Sequence, residues 1–218
     1  MVKSSESSLL ETEFELKEVE ISKQVRSEDA RLQEILQELK RKCKGYYGQV
    51  YELVKPIHKK YDVSVKIGLC KTLRYLVVDT VSSSQYCTEF LKEKGLRKDV
   101  LVLENIPEYR RKEGSITAEQ LKRYEAEFLS NVVDVTRKGD GKVQEAINFF
   151  VKDKLVCKDF DMAMKLQREL KCQNLITLDG TEFNLGMISG GHHSQNLFDL
   201  NLGAAELDRD IKLLSTKV

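Results

Sequence analysis

Both ends of the chain carry apolar residues at heptad spacing, and such seams need a partner that shields them from water. Near the C-terminus the seam is unbroken, with members Leu200, Ala204, Leu207, Ile211 and Leu214. Near the N-terminus the spacing has gaps, and the matching positions are Val25, Leu32, Ile35 and Leu39. Because short isolated helices are marginal in water, we predict that the two segments form an antiparallel coiled coil. Two ordinary amphipathic helices, each packed separately on the body, are the alternative.

The residues between these seams predict a mixed α/β body in two lobes, because short apolar runs alternate with helical spacing. Predicted strands cover 49–54, 75–79, 100–103, 131–136, 155–157 and 175–178, with a return strand beginning at Phe183. Predicted helices cover 56–70, 82–94, 142–150 and 160–170, and Asp179-Gly180 predicts a hairpin turn. The predicted segments are a first helix (1–43), lobe I (44–104), a polar connection (105–127), lobe II (128–198) and a last helix (199–218).

The charge of the chain is almost balanced in total but is unevenly distributed. The 218 residues contain 36 Lys and Arg against 35 Asp and Glu, a formal net charge of +1. Residues 40–74 alone contain ten basic side chains and only two acidic ones, Glu52 and Asp62. If the protein binds an acidic partner such as nucleic acid, we expect this stretch to make the contact. The alternative is that these lysines only form the solvated face of helices.

Several classes of protein find no support in the sequence. No apolar run reaches 18 residues, so no membrane span is expected. The five cysteines are far apart and lack a C-x-x-C pair, which is typical of buried thiols in a reducing compartment. No G-x-x-x-x-G-K-[ST] loop is present, and His192-His193 has no nearby Cys or His to complete a metal site. We therefore expect no cofactor, no metal and no catalytic acid–base pair.

A set of short motifs nevertheless resembles a known family. Gly45-Tyr-Tyr-Gly48, Lys59-Lys60-Tyr61 and Leu76-Val-Val-Asp79 resemble the first half of the hinge domain of structural maintenance of chromosomes (SMC) proteins. Leu155-Val-Cys157, Leu175–Gly180 and Gly186–Gly191 resemble its second half. The combination is most similar to the cohesin subunit counted first, with condensin, bacterial and DNA-repair relatives left open. The chain departs from the family pattern at Cys70 and at Asn184-Leu185, where glycines are usual.

The resemblance implies a non-catalytic dimerisation module. Its partner would be the hinge of a second SMC subunit, giving a heterodimer. In isolation, weak homodimerisation of the hinge is also compatible with the resemblance. Two such hinges would join two SMC arms into a ring that holds chromosomal DNA in the nucleus, with ATPase heads elsewhere. Since an open strand edge invites pairing and glycine permits close backbone approach, the expected dimer residues are Gly186, Met187, Ile188, Ser189, Gly190 and Gly191.

The resemblance also implies DNA binding near the base of the coiled coil, where the basic stretch lies. The candidate residues are Arg41, Lys42, Lys44, Lys55, Lys59 and Lys60. Contacts of this kind reach phosphates and depend strongly on salt. Two alternatives remain open at this point: a stand-alone nucleic-acid-binding protein that uses the same stretch, and a small α/β enzyme with the glycine loop as its cleft.

Overall fold

The computed structural model describes residues 29–108, 116–136, 141–190 and 202. The chain divides into two compact units, residues 1–44 and 45–218. In the first unit, helix α1 covers 29–42. Its seam positions Ile35 and Leu39 are buried and Leu32 is half-buried. The other predicted seam residues lie outside the described residues, so the coiled coil stays a prediction; they are Val25, Leu200, Ala204, Leu207, Ile211 and Leu214.

The second unit begins with a three-stranded sheet. Its strands are β1 (Tyr46–Gln49), β3 (Leu76–Val78) and β4 (Val100–Val102), in the order β1-β3-β4. β1 pairs antiparallel with β3, and β3 pairs parallel with β4. Helix α4 (Val81–Glu93) makes the crossover, and its N-cap is Thr80, whose side chain accepts a hydrogen bond from the Ser83 amide. The predicted caps Ser82 to Ser84 lie inside the helix instead.

The segment after β1 differs from its predicted form. Residues 50–53 form a one-turn helix, α2 (Val50–Leu53), where a strand over 49–54 was expected. Strand β2 (Val54–Pro56) follows, then a 3-10 turn (Lys59–Tyr61) and helix α3 (Asp62–Gly68), so the helix predicted over 56–70 begins later. The reason is a long-range pairing: β2 pairs antiparallel with β6 (Val133–Val135), which holds Pro56 in a strand.

A five-stranded sheet organises the second half. Its strands are β5 (Glu127–Phe128), β7 (Leu155–Cys157), β8 (Asn174–Thr177), β9 (Glu182–Asn184) and β10 (Met187–Ser189), in the order β10-β9-β8-β7-β5. Only the β7–β8 pair is parallel. The helices of this half are α5 (Ala118–Arg123), α6 (Gly141–Val151) and α7 (Phe160–Glu169). One 3-10 turn follows β4 at Leu103–Asn105, and another follows β5 at Leu129–Asn131. The hairpin turn predicted at Asp179-Gly180 joins β8 to β9.

The two faces of this sheet belong to two hydrophobic clusters. Val156 and Ile176 lie in the first cluster, which also contains Val65 and Ile67 of α3 and Val77 of β3. Leu155, Leu175 and Phe183 alternate with them and lie in the second cluster, which α5 and α7 cover. The first cluster therefore draws residues from both predicted lobes.

Candidate functional site

Strand β10 is the open edge of the five-stranded sheet. It pairs with β9 on one side, and no other described strand pairs with its outer side. Met187 and Ile188 are 66% and 51% exposed although both are large and apolar. Consecutive strand residues point to opposite faces, so both faces of this edge present apolar surface to solvent. An edge of this kind is a template for a further strand.

A row of apolar side chains crosses the five-stranded sheet and ends at β10, where an added strand would cover its last member. Register places five side chains in line on one face of the sheet, one from each strand: Phe128, Leu155, Leu175, Phe183 and Ile188. The first four are buried, and only Ile188 is open. Phe160, at the start of α7, packs against Phe183 with ring centroids 5.1 Å apart and the rings tilted by 54°, and it is itself 45% exposed. The apolar surface of the second cluster therefore continues to the solvent at Ile188 and Phe160, which no described residue covers completely.

The two-residue loop between β9 and β10 has an unusual backbone. Met187 pairs with Asn184, which leaves Leu185 and Gly186 as the loop. Both have positive φ, 46° and 84°, as a type I′ turn requires. Glycine adopts this conformation without steric cost, whereas leucine does so rarely. Leu185 is 72% exposed.

The opposite edge of the sheet is closed to pairing. Strand β5 has only two residues, and the Phe128 amide, which would face a new strand, donates instead to the Glu127 side chain at 3.0 Å. The same Glu127 oxygen accepts from Asn131 at 2.8 Å. Short edge strands and charged side chains on the edge discourage pairing. The sheet therefore offers its β10 edge and not its β5 edge.

The sequence-predicted dimer residues divide between the described and undescribed parts of the chain. Gly186 lies in the loop, Met187, Ile188 and Ser189 form β10, and Gly190 follows it exposed, while Gly191 lies outside the described residues. A methyl group at Gly190 would stand 3.3 Å from the Thr181 hydroxyl, so this glycine lies close to the preceding hairpin. Sequence reasoning missed Leu185 and Phe160 as members of this surface. The departure of Leu185 from the family's glycine pattern was the signal for the first.

The six candidate DNA-binding residues lie on both units. Arg41, Lys42 and Lys44 belong to the first unit and are exposed, and Lys42 forms an ion pair with Glu38 at 2.7 Å. Lys55 is half-buried on β2, whereas Lys59 and Lys60 are exposed on the 3-10 turn. The ammonium of Lys60 lies 4.7 Å from the centre of the Tyr61 ring. Lys66, also in the basic stretch, is buried beside Asp62 at 2.9 Å and is not available to a ligand.

A groove of about 510 Å³ lies at the carboxyl ends of β7 and β8 and includes Lys60, Tyr61, Lys122 and Cys157 in its wall. Burial, with the negative charges of Asp159 and Asp179, raises the pKa of the Cys157 thiol to about 12. The thiolate, which is the nucleophile, is therefore disfavoured near neutral pH. The Cys157 thiol is therefore not activated as a nucleophile in this groove.

The residues that the structure describes contain no group of three or more His, Cys, Asp or Glu side chains placed to hold a metal ion. No helix among them combines the length and the apolar character that crossing a membrane requires.

Known proteins resemble this chain over most of its length. The chain is 24% identical to structural maintenance of chromosomes protein 1 of Arabidopsis thaliana over 84% of its length. It is 29% identical to structural maintenance of chromosomes protein 4 of Homo sapiens over 76% of its length. The chain spans only 14% and 12% of those two proteins.

Solved structures agree in fold. An asymmetric dimer of the Geobacillus stearothermophilus SMC hinge domain matches at 23% identity with a TM-score of 0.58, over 79% of this chain and 66% of that one. The structure described as the folded elbow of cohesin matches at 24% identity with a TM-score of 0.59, over 84% of this chain and 26% of that one. The model of the family described as the SMC proteins flexible hinge domain matches residues 43–167. With more than half of its length matched, the chain belongs to the SMC hinge family, a non-catalytic dimerisation domain of SMC proteins.

Proposed function

We propose that this chain is the dimerisation hinge of a cohesin-type SMC subunit and that it binds its partner hinge through the β10 edge. The observation that carries the proposal is the open edge itself, where Met187 and Ile188 are exposed and the apolar row of the sheet ends unfinished. A partner strand added to β10 would bury both side chains and would satisfy the outward backbone groups of the strand. Hydrophobic burial at this edge would supply much of the binding free energy.

The partner's contribution would come from its first sheet. In this chain that sheet has two edge strands, and β4 is the more open of them, since Val100 and Val102 are half-buried whereas β1 is mostly buried. If the partner hinge shares this arrangement, its β4 edge is free to pair with β10. Reciprocal pairing of the two hinges would bury two such edges and close a ring of two bodies.

In the proposed physiological complex the partner is the hinge of a different SMC subunit. The motifs most similar to the cohesin subunit counted first, and the similarity to the folded elbow of cohesin, support this choice. Two arms joined in this way would form a ring around chromosomal DNA, and the protein would act on chromosomes in the nucleus during segregation and sister chromatid cohesion.

The test is the mass of mixtures of this chain with hinge domains of other SMC proteins, measured by light scattering. A stable 1:1 complex with a cohesin hinge is the expected result. Ile188→Glu would place a charge at the end of the apolar row and is expected to return the complex to separate chains. Tyr86→Glu, on a similarly exposed aromatic of α4, is the matched control and should leave the complex intact. Unchanged assembly of the Ile188→Glu variant would overturn the proposed interface.

A second proposed activity is direct binding of DNA by the basic stretch. Arg41, Lys44, Lys59 and Lys60 are exposed, and the Tyr61 ring beneath Lys60 is 4.7 Å from its ammonium. Contacts from these side chains to phosphate would carry affinity without base specificity. An exposed aromatic ring beside these basic residues would be able to stack on an unpaired base. Tyr46 is buried and so cannot do this, whereas Tyr47 is half-buried.

Charge reversal tests this activity. The pair Lys44→Glu and Lys60→Glu is expected to weaken binding of a duplex oligonucleotide by tenfold or more at low salt and to flatten its salt dependence. Lys42→Glu is not used, because it would also break the ion pair of Lys42 with Glu38 and so change more than the charge available to DNA. The pair Lys92→Glu and Lys165→Glu, exposed on α4 and α7, is the control for net charge. Equal loss in both pairs would show that overall charge, not this stretch, attracts DNA.

A further inference from the structure

Leu185 combines two features that are each unfavourable for the isolated chain. Its backbone has φ of 46°, a conformation in which the Cβ of an L-residue crowds the adjacent carbonyl. Its side chain is 72% exposed, so it gains little from burial. Asn or Gly at this position would form the two-residue loop with less strain, since Asn-Gly is the preferred type I′ pair. Neither the turn conformation nor burial therefore favours a leucine at this position.

Strain at a single position points to function when the surroundings hold it in place. Here the loop is held on both sides: Met187 pairs with Asn184, and the Leu185 amide donates to the Gln173 carbonyl at 3.3 Å. The loop therefore holds the Leu185 backbone in place immediately before β10. The exposed leucine side chain is two residues from Met187, at the surface already proposed as the dimer interface.

We propose that Leu185 is a specificity anchor for the partner hinge, inserting into an apolar pocket of that hinge beside the strand that pairs with β10. This inference rests on the proposed dimerisation and names the side chain that selects among partners. The backbone pairing of an edge strand is nearly independent of sequence, so it cannot by itself distinguish one hinge from another. A single apolar side chain fixed at the end of that edge can, because a hinge without the pocket would leave it in water or clash with it.

The proposal predicts opposite effects on the free chain and on the complex. Leu185→Asn should raise the melting temperature of the monomer by about 2 °C to 4 °C, since strain is relieved in a domain of this size. The monomer is measured in the Ile188→Glu background, so that dimerisation does not contribute to stability. The same Leu185→Asn change, in the otherwise unchanged chain, should weaken the complex with the cohesin hinge by tenfold or more.

Two further variants separate the side chain from the backbone. Leu185→Ala keeps the strained conformation and removes the anchor, so affinity should fall without a gain in melting temperature. Leu185→Met keeps a long apolar side chain and should retain most of the affinity. Discrimination between the cohesin hinge and the other hinges should also shrink in the Asn and Ala variants.

The outcomes distinguish this inference from the proposed function. If Ile188→Glu abolishes the complex but Leu185→Asn leaves its Kd and its choice of partner unchanged, the anchor is wrong and the interface stands. If the chain binds no hinge, and itself remains a monomer, the dimerisation through β10 is overturned together with the anchor. A fall in both melting temperature and affinity for Leu185→Asn would show a structural role and would also overturn the anchor.

Discussion

Gly180 shows how a single backbone position joins the second half of the body to the first. It has φ of 97°, and a methyl group there would stand 2.5 Å from Ile67 Cδ1 and 2.9 Å from Val63 Cγ1, both on α3. Glycine is therefore required twice, for the turn between β8 and β9 and for the close approach to the helix. Sequence reasoning predicted the turn at Asp179-Gly180, but the helix against which it packs is more than a hundred residues away and left no signal.

Gly180→Ala is expected to destabilise the fold by about 2–4 kcal/mol, because it adds crowding to an unfavourable φ. Gly95→Ala is the matched control: its φ is 71°, but nothing lies within 4 Å of the added methyl group. The control should cost only about 1 kcal/mol. Urea unfolding at unchanged slope measures both values. Equal losses would show that Gly180 is needed for its turn and not for its contact with α3.

Asp79 gives the structure a dependence on pH at the start of α4. Hydrogen bonds from the Ser83 hydroxyl and from the Thr80 backbone and side chain lower the pKa of this carboxyl below its ordinary value. A lowered pKa stabilises the fold above the unfolded-state pKa of about 3.9, and this contribution is lost as the pH falls through the folded-state pKa. Asp79→Asn should therefore be less stable than the natural chain at pH 7.

The difference in unfolding free energy between the two chains should shrink as the pH is lowered from 5 toward 2. Urea titrations at several pH values measure it. A difference that stays constant across this range would show that the charge of Asp79 contributes nothing and that only its shape matters.

Helix α7 has a strong local sequence pattern and was predicted, whereas an element that depends on distant hydrogen bonds was not. Its range, Phe160–Glu169, was predicted from apolar spacing to within one residue, and β7 was predicted at its observed bounds, Leu155–Cys157. Both have strong local patterns. By contrast, α2 is a single turn whose first amides donate to the Tyr75 and Leu73 carbonyls, so its existence depends on a segment more than twenty residues away. No local periodicity predicts such an element.

The open edge at β10 shows the same limit for the candidate site. The sequence predicted apolar Met187 and Ile188 between glycines as a dimer edge, and this stays a prediction. It could not predict that Glu127 closes the opposite edge, since that depends on the Phe128 amide turning outward. It also could not predict that Phe160 joins the row, since α7 meets β9 only in the folded chain.

Helix α7 is capped at its N-terminus by Asp159. The Asp159 side chain accepts a hydrogen bond from the Met162 amide at 2.9 Å, and the helix that follows positions Phe160 against Phe183. Asp159→Ala should cost about 1 kcal/mol of unfolding free energy, as the loss of an N-cap does. Asp161→Ala, which removes an exposed charge of the first turn, should cost clearly less. Similar losses in thermal unfolding would show that Asp159 acts by its charge alone.

At the scale of the whole molecule, the two predicted lobes share one hydrophobic cluster. Strand β2 pairs with β6, the buried Ser64 hydroxyl donates to the Thr177 carbonyl at 3.0 Å, and Lys154 bridges the Gly68 carbonyl to Glu182 at 3.2 Å and 3.0 Å. These contacts join the two halves by backbone, by buried hydrogen bond and by ion pair. We therefore expect the halves to unfold together, so that any opening of a dimer occurs between hinges and not within one.

Residues 45–190 should show a single cooperative transition, with equal calorimetric and van't Hoff enthalpies. Ile176→Ala, in the second half, should lower amide protection in β3 of the first half by the same free energy as in β8, about 2–5 kcal/mol. Protection lost in β8 alone would separate the lobes and contradict a shared fold.

The most direct test of the dimer interface is hydrogen exchange at one amide. Because Met187 and Asn184 close the hairpin, the alternation of an antiparallel ladder turns the Ile188 amide away from β9, toward the open side of the sheet. Adding the partner hinge should slow exchange at Ile188 at least tenfold and leave Phe128, whose amide is already bonded to Glu127, unchanged. A stable 1:1 complex in which the Ile188 amide exchanges as fast as in the free chain would contradict dimerisation through the β10 edge.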